Sequence, residues 1–242
     1  MKIAVVGKGG VGKTSVSAVL ARSIGRLGKP VVALDCDTNP NLGLSLGVGD
    51  IETQRIIGIR QQVSDREAEH AHTWDDLISR FGTDAPDGVR LGIVNRIENP
   101  EPGCPCCGLS AERLLSQTNF GESIVVGDFE AGLGIFSRVG ESQIDITLVV
   151  VEPTPRSLDV GMRALELARK NKQGRFIVVA NKVSSPAELG LVKQSLAHDD
   201  IIVIPFSEAL VDADRRGISV FDLKDNETFI TPIERLAVEL VG

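Results

Sequence analysis

Apolar residues in this chain fall into short unbroken runs, separated by longer stretches in which they recur every three or four positions. The runs IVVGD at 124–128, ITLVVVE at 146–152 and FIVVAN at 176–181 show no polar alternation. A strand apolar on both faces is one buried between two layers, as in a parallel sheet covered by helices. Strands are therefore expected near Lys2–Gly7, Pro30–Asp35, Leu91–Val94, Ser123–Asp128, Asp145–Glu152, Arg175–Asn181 and Ile201–Pro205. Helical periodicity places helices near Lys13–Leu27, Ser110–Gln117, Pro155–Lys170, Pro186–Leu196 and Pro232–Val241. This alternation predicts an α/β fold: a mostly parallel, doubly wound sheet flanked by helices, with ligands at the carboxyl ends of the strands.

Length and composition narrow the picture. A chain of 242 residues, 42% hydrophobic and 24% charged, suits one α/β domain over residues 1–242 with a substantial core. From about 51 to 102 it turns polar and reads as an insertion carrying a short helix around Trp74–Phe81. His70 and His72 within it are metal ligands by type, but in so acidic a stretch they read as solvated side chains. A net charge of −7 gives no electrostatic support for nucleic-acid binding. No run of roughly 18 apolar residues is present, so no membrane span is expected. The N-terminus runs directly into the first strand without the regions of a secretory signal, which predicts a cytoplasmic protein. The acidic, apolar-periodic segment TPIERLAVELVG is expected to pack as a terminal helix.

The first strand ends in Gly7-Lys-Gly-Gly-Val-Gly-Lys-Thr14, which meets the phosphate-loop spacing G-x-x-x-x-G-K-[ST] before a helical pattern. Glycines let successive amides converge on phosphate oxygens at a helix N-terminus. The expected donors are Gly9, Gly10, Val11, Gly12, Lys13, Thr14 and Ser15. Lys13 would reach the β- and γ-phosphates and the Thr14 hydroxyl would enter a Mg²⁺ shell. Asp35 and Asp37, two residues apart at the end of the second strand, project the same way while the strand lasts. Asp128 ends another apolar strand, where an acid can hold a Mg²⁺-bound water. Gly132 follows it and can offer an amide to a γ-phosphate. Asn181 and Lys182, after a late strand, are placed to bind the base. The sequence NKVS lacks the aspartate that guanine-specific loops carry, so adenine, as ATP or ADP, is favoured.

With Lys8 as a second lysine, GKGGVGKT resembles the deviant phosphate loop of the SIMIBI class, which includes the nitrogenase iron protein and the MinD-like and ArsA-like ATPases. The resemblance implies that Lys8 crosses to the partner's nucleotide in a homodimer. It also implies that Asp37 activates the attacking water, with Asp35 nearer the Mg²⁺ shell. Pro205, Phe206 and Glu208 would form the other side of the base pocket.

Four cysteines are present, three of them at 104, 106 and 107, which suits a metal or redox site better than a disulfide framework. Cys36 reads as a small packed residue. Cys104 and Cys106 supply two thiolates, half of a closed site, so two subunits meeting face to face would complete it. C-x-C in the loop at 103–108 ahead of Asp128-Phe-Glu-Ala-Gly132, together with VVVEPTPRSLD at 149–159, resembles the CooC family, the ATPases of carbon monoxide dehydrogenase maturation. That resemblance implies an ATP-dependent metallochaperone. Its homodimer would hold Zn²⁺ or Ni²⁺ at the interface and assist nickel insertion into a client such as carbon monoxide dehydrogenase. Cys107 adds a third adjacent thiol, leaving the second ligand open between Cys106 and Cys107. An Fe–S reductase of the iron-protein type and a MinD/ParA-type positioning switch are the alternatives. The former needs a cysteine soon after Asp128, and none occurs through Gly140.

Overall fold

The computed structural model describes residues 1–56, 58–59, 82–95, 111, 114–115, 118–130, 143–172 and 174–242. The expected helix around Trp74–Phe81, both histidines of the 70–72 stretch, the three clustered cysteines and Gly132 lie outside these residues. Of the helix expected at Ser110–Gln117, Ala111, Leu114 and Leu115 are described; they are helical and buried.

The strands are β1 (Lys2–Gly7), β2 (Val31–Cys36), β3 (Thr83–Asp84), β4 (Val89–Ile93), β5 (Ile124–Phe129), β6 (Ile146–Val151), β7 (Arg175–Val183) and β8 (Ile201–Pro205). They form one sheet in the order β3-β4-β2-β5-β1-β6-β7-β8. Every pairing is parallel except the edge pair β3–β4. The chain runs outward from β1 in both directions, so the loop after β1 sits where the strand order reverses. The strands β3 and β4 fall inside the polar stretch 51–102, and β4 is interior to the sheet.

Among the described residues, the α-helices with both ends defined are α1 (Lys13–Arg26), α2 (Leu42–Leu46), α3 (Asp50–Arg55), α4 (Pro155–Lys170), α5 (Pro186–Leu196), α6 (Glu208–Arg216) and α7 (Glu227–Val241). The unbroken apolar runs feed two cores at once. In β1, Ile3 and Val5 face one layer with Val19, Leu20, Ile24 and α7, whereas Ala4 and Val6 face the other with Leu158, Leu165 and Val192 of α4 and α5.

Several boundaries differ from the sequence expectation by one or two residues, and one differs by five. The last helix starts at Glu227, five residues before Pro232, which sits inside it. A helix-interior proline costs about 3 kcal/mol. Burying Phe229 and Ile230 ahead of it contributes about 1.5–3 kcal/mol each, enough to carry the helix through. β7 likewise runs past Asn181 to Val183, with a register shift against β8 between Ala180 and Val183.

α1 is anchored at its far end by Arg22, a buried cation. Its Nε meets Asp87 Oδ2 at 2.6 Å, its Nη1 donates to the Leu46 carbonyl and Ser219 Oγ at 3.3 Å, and its guanidinium stacks 4.1 Å from the Phe221 ring. Burial pushes the Asp87 carboxyl up, but the hydrogen bonds and charges of Arg22 and Arg26 outweigh it and hold the group below its usual range.

Candidate active site

Residues 8–12 turn from β1 into α1, and the turn is built on positive φ: +81° at Gly10 and +96° at Gly12, the residue that caps α1. A Cβ at Gly12 would stand 2.5 Å from Nδ2 of Asn181, so glycine is required there for space as well as for backbone conformation. The start of α1 meets the carboxyl ends of β5 and β7, where Thr14 and Ser17 bond Asp128 and Asn181 bonds the Val11 carbonyl.

Lys13 is buried, and its Nζ donates to the Lys8 carbonyl at 3.4 Å. Burial lowers its pKa, opposed by the charges of Asp128, Asp37 and Glu130. Lys8 is partly exposed, beside exposed Gly9 and Gly10, and Ser15 is buried at the start of α1.

Asp35 and Asp128 are register partners on adjacent strands β2 and β5, both almost fully buried. Asp128 accepts hydrogen bonds from the hydroxyls of Thr14 and Ser17, the latter at 3.4 Å. Asp35 is braced by backbone: Oδ1 accepts the Asp37 N–H at 3.2 Å and Oδ2 the Leu42 N–H at 2.8 Å. Burial, reinforced by the facing charge of Asp128, pushes Asp35 up to about 8 despite these donors. Burial also raises Asp128, to about 6, with Thr14, Lys13 and Ser17 pulling down and Asp37 pulling up. Two buried carboxylates held short of charge balance, beside a threonine hydroxyl, form an oxygen-only donor set that fits a hard divalent cation. Asp37 lies half-exposed at the loop's mouth, and its Oδ1 accepts the Asn39 N–H at 2.9 Å. Asn95 ties this loop down by donating to the Cys36 carbonyl at 2.6 Å. Cys36 is buried among apolar side chains, as expected.

Asn181 is 1% exposed, and its side chain is already engaged. Nδ2 donates to the Val11 carbonyl at 2.7 Å, and Oδ1 accepts the Lys182 N–H at 2.9 Å. The structure therefore brings Asn181 to the phosphate loop. Pro205 ends β8, Phe206 and Glu208 follow it, and all three are exposed. Phe206 and Glu208 line an open hollow of about 570 Å³ with Ser207, Ala209, Asp212, Lys224, Asp225 and Thr228. Asn181 is not among its lining residues.

Sequence reasoning passed over Ser17 and α6. Ser17 lies one helical turn after Thr14, a spacing that puts both hydroxyls on one face. The local signals of α6 were also present. Ser207 caps it by accepting the Leu210 N–H, Arg215 and Arg216 occupy its last turn, and Gly217 closes it with φ +62°.

A parallel sheet with a glycine loop at its switch point, a buried lysine and paired acids beneath defines a P-loop nucleotide-binding protein. The chain belongs to the family described as CbiA, the CobQ/CobB/MinD/ParA nucleotide binding domain, which matches residues 2–220. It is 31% identical to the carbon monoxide dehydrogenase accessory protein CooC of Rhodospirillum rubrum, covering 92% of this chain and 90% of that one. It is 30% identical to an uncharacterized ATP-binding protein of Methanocaldococcus jannaschii, over 90% of each. Among solved structures, the septum site-determining protein MinD of Pyrococcus horikoshii, complexed with Mg-ADP, shares the fold with a TM-score of 0.73 at 20% identity, covering 99% of this chain and 95% of that one. These relationships make the chain a nucleotide-binding protein of the MinD/ParA family. Among the described residues no helix is long and apolar enough to cross a membrane, and no group of three or more His, Cys, Asp or Glu side chains gathers as a metal site would require.

Proposed function

We propose that this chain is an ATP-hydrolysing homodimeric maturation factor. In this reading it assists nickel insertion into carbon monoxide dehydrogenase or a related metalloenzyme, through thiolates from both subunits. The observation that carries it is the similarity to the R. rubrum accessory protein across nine-tenths of both chains. The loop amides and Lys13 bind the β- and γ-phosphates, and Lys8 reaches the partner's nucleotide. Thr14 and Asp128, with Asp35 behind them, hold Mg²⁺, which when bound neutralises charge developing on the phosphates. Asp37, at the mouth of the loop, orients the attacking water, and the Gly132 amide meets the γ-phosphate. Phe206 and Glu208, beside Pro205, receive the adenosine end. Cys104 with Cys106 or Cys107 holds the transferred metal, Ni²⁺ or Zn²⁺, which is cargo.

The test is elemental analysis of anaerobically purified protein together with its mass in solution. The expected result is one ion per dimer with sulfur-dominated coordination, lost in Cys104→Ser while ADP binding persists. Affinity should fall as pH drops, because thiolates are the ligands. Separate Cys106→Ser and Cys107→Ser variants identify the second ligand. One ion per monomer, or undiminished metal in Cys104→Ser, refutes the interface site. A brown protein carrying iron and sulfide would favour the iron-protein alternative.

A further inference from the structure

The segment Glu152-Pro153-Thr154 at the end of β6 takes no part in the chemistry above, yet its contacts lead straight to the phosphate loop. Lys182 adopts φ +59°, a left-handed conformation that a lysine has no local reason to choose, at the irregular end of β7. That turn brings its Nζ over the loop, where it donates to the Gly10 carbonyl at 2.7 Å and to Glu152 Oε2 at 3.2 Å. Glu152 is fixed in turn: Oε1 accepts the Thr154 hydroxyl at 3.3 Å, and its N–H donates to buried Ser157 Oγ at 3.0 Å. One residue earlier, Asn181 holds the next loop carbonyl, that of Val11. Two adjacent side chains of β7 thus hold two adjacent carbonyls of the loop.

In a trans peptide the carbonyl of one residue and the N–H of the next point to opposite edges of the same plane. Fixing the Gly10 and Val11 carbonyls toward β7 therefore turns the Val11 and Gly12 amides the other way, to the side where phosphate oxygens are bound. We infer that Lys182, oriented by Glu152 and Thr154, is a positioning residue that sets the loop amides for phosphate and makes no contact with the nucleotide itself. This rests on the phosphate-loop reading above and extends it to the segment that follows β6.

Calorimetric titration of the full chain with ADP and GDP tests it. Lys182→Ala should weaken both nucleotides by about tenfold, the loss expected for one charge-assisted hydrogen bond net of solvation. The ADP-to-GDP ratio should stay unchanged, because the effect passes through the phosphates both share. Glu152→Gln should weaken binding less, and the double variant should be no worse than Lys182→Ala, since both act through one contact. Lys182→Arg should recover part of the affinity. If Lys182→Ala does not fold, Glu152→Gln and Thr154→Val still report on the network, as neither removes the lysine. Wild-type affinity in the Lys182 and Glu152 variants overturns the proposal, as does a changed ADP-to-GDP ratio, which would mean that Lys182 touches the base. A wild-type chain that binds no ADP would also overturn it, by removing the phosphate site beneath, a result distinct from any variant effect.

Discussion

Replacing Gly12 with alanine should expose the link between the phosphate loop and β7. Gly12 caps α1 at φ +96°, and a methyl there would stand 2.5 Å from Nδ2 of Asn181. Holding a non-glycine residue in this left-handed region costs about 1–2 kcal/mol. The second cost is the displaced amide. Nδ2 donates to the Val11 carbonyl at 2.7 Å in a site where Asn181 is 1% exposed, so water cannot replace the partner. Leaving a buried donor and acceptor unmatched costs about 1–3 kcal/mol. The sum, about 2–5 kcal/mol, lowers the melting temperature of a domain this size by roughly 4–20 °C, at about 2–4 °C per kcal/mol. Thermal and urea unfolding of the nucleotide-free protein would measure it, in Gly12→Ala, Asn181→Ala and the double variant. With Asn181 shortened the methyl has room, so Gly12→Ala then costs only its backbone strain. The two substitutions together should fall short of their sum by about 1–3 kcal/mol. Strict additivity would refute the claim that the methyl acts through Asn181, and a Gly12→Ala protein as stable as wild type would refute the geometry itself.

Asp37→Asn should keep ADP affinity while slowing ATP hydrolysis, because the carboxylate acts on water; an equal fall in affinity and turnover would make it a binding group instead. Lys8→Ala should bind ATP yet dimerise poorly with it, and sedimentation that shows unchanged ATP-dependent association would remove Lys8 from the interface. The stability of the nucleotide-free protein should fall as pH rises from about 4 to 8, since unfolded carboxylates ionise near 4 whereas Asp128 and Asp35 keep their protons to about 6 and about 8. Asp35→Asn, which has no proton to lose, should flatten the upper part of that decline in melting temperature. A wild-type profile that climbs across this range would contradict the burial of the pair.

The sequence by itself determined whatever depends on local spacing. The unbroken apolar runs announce strands covered on both sides, and the division of Ile3 and Val5 from Ala4 and Val6 between two cores is its tertiary expression. The glycine-lysine-threonine spacing announces the phosphate loop, because a backbone that must present amides to an anion leaves little choice of residue. Folding decided the pairing of groups far apart in the chain. Asp35 and Asp128 become a coupled buried pair only because β5 inserts between β1 and β2, an ordering no local pattern records. The fold also gives the Asn181 amide to the Val11 carbonyl, 170 residues away, a contact that its place after a late strand does not record. The start of α7 lies ahead of Pro232 for the same kind of reason: the burial of Phe229 and Ile230 depends on the first core being there to receive them. Propensity and spacing act over a few residues, whereas burial and hydrogen-bond partners are properties of the assembled layers, so the loop's chemistry was legible and its supports were not.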